Sequence, residues 1–280
     1  MHSKVHHKSN NHKKRGMDMN ETVDIKLACM SLMWGGNLSN EEMSAWIDDV
    51  STAGYAGVAT FERELLRFIE QTDFVERITD RGLPLVSVDL VIDRDFDKLN
   101  HVCEVMQQLG AKHLVTIGGL AQKSADMDEI AELLNQIGEI ALTYDVRACF
   151  HNHTHHTGET LEETEELLHK TDPAKFFGFL DVGHATKDFV GHPVEQRASI
   201  FLERNWDRID FLEFKDWHEE YDLRTAVGAG HCDYNSVFRI LKEKRYSGWV
   251  TVEQNGPTGD KTPLECAKAS REFIRQGLGV

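Results

Sequence analysis

The sequence predicts a (β/α)8 barrel with an active site on the face where its strands end. Three observations carry this. First, the 280-residue chain alternates β-branched apolar runs with helix-type segments eight times from residue 24 onward. Second, four of the later runs stop at groups able to bind a metal or move a proton. ACFHNH ends on His151 and His153, FGFLDVGH on Asp181 and His184, DFLEFKD on Glu213 and Lys215, and GWVTVEQ on Glu253. Third, no GxGxxG or GxxxxGK[ST] follows any run, so an open dinucleotide- or nucleotide-binding sheet lacks its usual motif.

The elements follow in order. DIKLACMSLMW (24–34) is the first strand. Ser39, with Glu42 three residues on, forms a capping box for a helix that runs to Gly54. YAGVATF (55–61) is the second strand and is followed by a helix over 62–81. LPLVSVDLVI (83–92) precedes a helix through HVCEVMQQLG, and AKHLVTIGG (111–119) precedes a helix over 127–144. VRACFHNH (146–153) is the fifth strand, after which Thr160 and Glu163 make a second capping box. FFGFLDVG (176–183) is followed by a helix from Pro193. IDFLEFKD (209–216) leads through VGAGHCD to a helix over 234–244. GWVTVEQ (248–254) is the eighth strand, and Thr262, Pro263 and Glu265 open a final helix through PLECAKASREFI.

Glycine, asparagine and aspartate cluster only where turns between these units belong. Residues 23–280 therefore read as one catalytic domain. Residues 1–22 are polar, basic and rich in histidine, with no apolar core of a secretory signal, and are expected to form a disordered extension.

Composition narrows the function. A formal net charge of −16 opposes binding to a phosphate backbone, so a nucleic-acid partner is not expected. No run of about 18 apolar residues is present, so no membrane span is expected either. The five scattered cysteines (Cys29, Cys103, Cys149, Cys232 and Cys266) form no disulfide framework and no CxxC motif, which points to a reducing cytoplasm. The expected partner is a small molecule; a homo-oligomer stays open.

A single Asp or Glu at a strand end is more often a turn or cap residue. Four strand ends in succession reverse that balance. Glu213 could instead face the helix layer, and Lys215 with Asp216 could be a solvated pair. Trp34 reads as packing or as an aromatic wall for a sugar ring, and Glu62 as a residue favoured by a helix N-terminus. His155 and His156 read as a polar loop.

The motifs HNH, DVGH, FKDWH, GAGHCD and WVTVEQ, taken together, resemble those of the xylose-isomerase-like barrel superfamily, which includes sugar epimerases, isomerases and inosose dehydratases. The inosose dehydratases are the most similar, reading approximately YHHH, DTGH, HLKD, GDG and VEAEQD at these places. The resemblance runs from Ile25 to Gly277 and is strongest after Phe150. It implies one divalent ion, Mn2+ before Co2+, Mg2+ or Zn2+, with His151, Asp181, Glu213 and Glu253 as ligands. Many members carry Glu where this chain has His151, and His where it has Glu213, which reads as a swap that preserves the charge balance, as a different preferred metal or as a metal-free site. His153, two residues past His151, shares its face if the strand continues, so either is a candidate ligand.

A carboxylate-rich set with one imidazole suits such an ion, and an open position admits a substrate carbonyl and hydroxyl. The chemistry implied is removal of a proton next to a carbonyl of a sugar or cyclitol. His184 is the expected proton-transfer group, with Glu253 or His153 as a second, and Lys215 is placed to hold a hydroxyl or neutralise an enolate. Return of the proton gives an epimerase or isomerase; loss of hydroxide gives an inosose dehydratase-type lyase. A metal-dependent endonuclease and a non-catalytic sugar-binding subunit are the less favoured classes.

Overall fold

The structure is a computed structural model and describes residues 23–280; the expectation for 1–22 lies outside the described residues. Eight parallel strands close into a barrel: β1 (Asp24–Met30), β2 (Gly57–Phe61), β3 (Leu85–Val91), β4 (His113–Ile117), β5 (Arg147–Phe150), β6 (Phe176–Asp181), β7 (Ile209–Phe214) and β10 (Ser247–Val252), the last pairing with β1. A two-stranded excursion after β7, β8 (Asp216–His218) with β9 (Asp222–Thr225), stands outside the barrel sheet. Helices α1 (Asn40–Ala53), α2 (Glu62–Gln71), α3 (Phe74–Asp80), α4 (Phe96–Leu109), α5 (Met127–Thr143), α6 (Leu161–Lys170), α7 (Val182–Asp188), α8 (Arg197–Asn205), α9 (Tyr234–Glu243) and α10 (Pro263–Leu278) alternate with the strands. This is the (β/α)8 fold the alternation predicts.

The capping boxes at Ser39/Glu42, Thr160/Glu163 and Thr262/Glu265 are all made, each satisfying orphan N–H groups at a helix start. Two apolar layers result. The larger lies between strands and helices. The smaller, formed by Ala28, Val86, Val115, Cys149, Phe179 and Phe211, draws one residue from each of six strands and fills the lumen. Side chains alternate along a strand, so Asp181 and Glu213, two past Phe179 and Phe211, point inward as well.

Several expectations are corrected. The helix over 62–81 is two helices, because Thr72 takes an extended conformation, donates its hydroxyl to Phe68 C=O and accepts the Phe74 N–H. The first strand stops at Met30 and turns through Ser31–Met33. The fifth stops at Phe150, leaving His151 to His153 in a loop. The sixth stops at Asp181; Val182 and Gly183 already belong to α7, which the sequence did not suggest.

Candidate metal centre at the barrel mouth

Four of the expected ligands converge. One donor atom from each of His151, Asp181, Glu213 and Glu253 lies within 4.8 Å of the others, and all four side chains are buried. Asp181 and Glu213 are register partners on β6 and β7, while Glu253 directly follows β10 and donates its N–H to Phe214 C=O (3.0 Å). Glu213 therefore faces the lumen, not the helix layer.

Three of these candidate ligands, His151, Asp181 and Glu213, are each held by one atom and turn another towards the cluster. His151 Nδ1 lies 2.8 Å from Asn152 C=O, which fixes its proton there and turns the Nε2 lone pair inward. That Nε2 is 3.5 Å from Asp181 Oδ2 and 3.7 Å from Glu213 Oε1. Asp181 Oδ1 accepts the His184 N–H (2.8 Å), and Glu213 Oε2 accepts the Thr251 hydroxyl (3.1 Å). Asp181 Oδ2 and Glu213 Oε1, both buried, accept no hydrogen bond from the described residues. Orphaned carboxylate oxygens around an imidazole lone pair are costly unless a cation completes them.

The electrostatics agree. Asp89, Asp181, Glu213 and Glu253 are buried together with one ammonium, Lys215, which pairs with Glu253 and lies 3.6 Å from Asp181 Oδ2. Burial works against the Lys215 charge, but Glu253, Asp181 and Glu213 outweigh it and raise its pKa. Burial, then the Glu253 charge, pushes Glu213 and Asp89 well above the usual carboxylate range. Burial, then Lys215, lowers His151 to about 4, so its ring is neutral at pH 7. Four buried acids against one buried cation, with one N and three O donors, suit a divalent ion of the Mn2+, Mg2+, Co2+ or Zn2+ kind.

His184 is 1% exposed and stands in the first turn of α7 rather than in a loop past the strand. Its Nδ1 lies 3.3 Å from the Thr154 N–H nitrogen, 2.9 Å from Thr154 Oγ1 and 3.3 Å from Asp188 Oδ2. Its Nε2 is buried without a partner, 3.9 Å from Asp181 Oδ2. Burial, then Lys215, holds it well below the usual imidazole range. His153 packs its ring 4.1 Å from that of His184 and is bonded through Nδ1 to Thr154 C=O (2.8 Å). Burial, then His151, lowers it to about 4. His151 and His153 thus both reach the mouth, from a loop rather than by strand alternation, and His153 is not in the four-residue cluster.

His155 is exposed, and Trp34 donates to Asp49 (2.9 Å) on α1. Lys215 and Asp216 are buried, not solvated. Sequence reasoning missed Asp89, in register with inward-facing Val115; Asn152, which exchanges two bonds with the Asp181 backbone; and the Thr154–Asp188 pair behind His184. Ser87 and Asp89, two polar residues spaced by two inside an apolar run, were a visible signal.

Comparison with known proteins identifies the family. Residues 47–277 match the family model described as xylose isomerase-like TIM barrel. Curated relatives include inosose dehydratases of Lactiplantibacillus plantarum (30% identical over 171 residues, 55% of each chain) and Clostridium tetani (28% over 169 residues, 54% of this chain and 55% of the relative). The aligned segment spans about half the length of these relatives. Among solved structures, D-psicose 3-epimerase of Clostridium cellulolyticum superposes with a TM-score of 0.72 at 15% identity (90% of this chain, 99% of that one). The zinc-bound IOLI protein superposes with a TM-score of 0.71 at 18% identity, covering 91% and 98%. With 47–277 matched and eight parallel strands closed into a barrel, the chain belongs to the xylose isomerase-like TIM barrel family.

Proposed function

We propose that the protein is a divalent-metal-dependent isomerase or epimerase that abstracts a proton next to the carbonyl of a keto-sugar or cyclitol. The observation that carries this is the convergence of His151, Asp181, Glu213 and Glu253 around unpartnered oxygens in a buried, charge-imbalanced mouth. These four would hold the ion, which when bound supplies positive charge to the substrate carbonyl and hydroxyl oxygens. Mn2+ leads the candidates, by resemblance; the zinc-bound IOLI structure keeps Zn2+ beside it.

The remaining steps belong to the chain. His184 is held through Nδ1 by Thr154 and Asp188, and its Nε2 faces the mouth. That atom exchanges a proton with the substrate during turnover. Glu253 or His153 receives the carbon-bound proton. Lys215, kept charged by three carboxylates, neutralises the oxyanion that develops. His184, Glu253 and Lys215 are buried, and the low-dielectric surroundings strengthen each of their contacts.

A second reading has its own support. The curated relatives are named inosose dehydratase, so dehydration of a keto-cyclitol, with His184 protonating the departing hydroxide, is the alternative. Five unpaired cysteines accord with a reducing cytoplasm, and the −16 charge with a small-molecule substrate instead of nucleic acid. Among the described residues no helix is long and apolar enough to cross a membrane.

The test is a screen of keto-sugars and inososes in D2O, with elemental analysis of the purified protein. Deuterium uptake at the carbon next to the carbonyl, lost on chelation, is expected whichever product forms. A metal-loaded protein that exchanges no substrate proton across the screen would sink the enzymatic reading.

A further inference from the structure

A second group of metal-type donors, His218, Glu219 and His231, lies among the described residues outside the buried centre, with one ligand atom of each within 4.8 Å of the others. His218 ends β8, Glu219 opens the turn to β9, and His231 follows the glycine-rich segment before α9. The two imidazoles stack 4.8 Å apart at 14° and turn their Nε2 atoms to one carboxylate oxygen. His231 Nε2 is 2.6 Å from Glu219 Oε2 and His218 Nε2 is 3.8 Å from it.

The backbone beneath this group is pinned. Asp216, fully buried, accepts the N–H groups of Trp217, Gly228, Gly230 and Cys232. His231 N–H donates to Trp217 C=O (3.0 Å), and a Cβ at Gly230 would fall 2.3 Å from Asp216 Oδ1. The segments bearing His218 and His231 are therefore locked together before any ligand arrives. Core packing does not explain the imidazoles, since both keep about a third of their side chains exposed (37% and 32%).

We propose that His218, Glu219 and His231 form a second, rim metal site for a borderline divalent cation of the zinc type. Two nitrogens and one carboxylate oxygen are a zinc donor set, whereas the buried centre is oxygen-rich. Tetrahedral bonds of about 2.0–2.2 Å set ligand atoms roughly 3.3 Å apart. The observed separations of 2.6 and 3.8 Å bracket that value. His218 Nδ1 accepts the Glu220 N–H (3.2 Å), so a metal on Nε2 would require the ring proton on Nδ1 and the loss of that one hydrogen bond. His218 also lines a groove of about 620 Å³ together with Tyr221, Thr225 and Thr258. Glu220, Asp260 and Glu265 on its wall outnumber Lys261 and draw cations in. The site stands independently of the reaction proposed for the barrel mouth.

Equilibrium dialysis of the full chain against ZnCl2, followed by elemental analysis, tests this. Wild type is compared with His218→Ala/His231→Ala and with Glu219→Gln. The buried centre and the N-terminal histidines are common to all three, so the difference reads the rim alone. The double variant is expected to lose one tightly held zinc per chain, and its Co2+-loaded form the matching visible absorption band. Glu219→Gln, a change at an exposed and near-isosteric position, is expected to weaken that same zinc at least tenfold while circular dichroism is unchanged. Equal zinc content and affinity in wild type and either folded variant would overturn the proposal.

Discussion

Lys215→Met is the most informative single change. Methionine keeps the volume of the stem but removes the one ammonium buried among Asp89, Asp181, Glu213 and Glu253. Breaking a buried pair by removing one partner costs about 3–5 kcal/mol, because the other charge stays behind uncompensated. For a chain of this size about 2 °C of melting temperature follows each kcal/mol, so the metal-free variant should melt about 6–10 °C below wild type. Adding Glu253→Gln removes the stranded charge, and the double variant should regain most of the loss. A cation that binds only the folded state stabilises by about 2.7 kcal/mol at one hundred times its Kd, so Mn2+ should raise the single variant's melting temperature by about 5 °C. The assay is thermal unfolding by circular dichroism, with EDTA and then with Mn2+. If the metal-free single variant melts within 2 °C of wild type, or if Glu253→Gln adds its own full cost on top, the charge-imbalance account of the mouth is wrong.

Three further outcomes are expected. Asp181→Asn should remove the buried ion and abolish proton exchange while leaving the fold intact; retention of a full metal complement by mass spectrometry would exclude Asp181 as a ligand. His184→Gln should keep metal and fold yet cut turnover by ~10²–10⁴, and near-normal turnover would move proton transfer to His153 or Glu253. His113 stacks on Phe211 and burial lowers its pKa to about 4, below the ordinary 6.5, so the folded state prefers the neutral ring. Its contribution is intact above pH 6.5 and is lost as pH falls towards 4, by up to about 3 kcal/mol, so urea titrations from pH 7.5 to 4.5 should show a shallower slope for His113→Gln than for wild type.

The barrel was legible because parallel strands buried on both faces read as apolar runs, and because three helix starts carried complete capping boxes. The four converging donors were legible for a related reason. Asp181 and Glu213 end apolar runs two residues past inward-facing Phe179 and Phe211 and share the lumen's parity, while His151 and Glu253 directly follow the ends of β5 and β10. What escaped was set by tertiary contact. Helix α7 has seven residues, too few to show a helical period, and its start is marked only by Asp181 accepting the His184 N–H. The β8–β9 excursion reads DWHEEYDLRT, with no apolar alternation to announce strands, and is fastened from outside by the Lys187–Asp222 ion pair (2.8 Å). The break at Thr72–Asp73 was readable in principle, since two cap-forming residues in succession interrupt a helix.

The run DVGH shows how local structure and chemistry coincide. Asp181 spends one oxygen on capping α7 and is left with the other facing the mouth, so a single residue both starts the helix and ends the strand as a donor. Gly183 lets that helix lie directly over Lys215: a Cβ there would meet Lys215 Cγ at 2.7 Å and Cβ at 2.9 Å, pushing away the ammonium that balances three carboxylates. His184, one residue on, donates its backbone N–H to Asp181 while its ring is gripped from behind by Thr154 and Asp188, leaving only Nε2 towards the centre. Burial raises Asp188 to about 6 even though Thr154 donates to it, so the support behind His184 takes up a proton close to neutrality. A strand that ran on to Gly183 would have sent alternate side chains to opposite faces. Ending it at Asp181 lets the helical turn bring residues 181 and 184 to the same side, where the proposed ligand and the proposed proton-transfer group stand together.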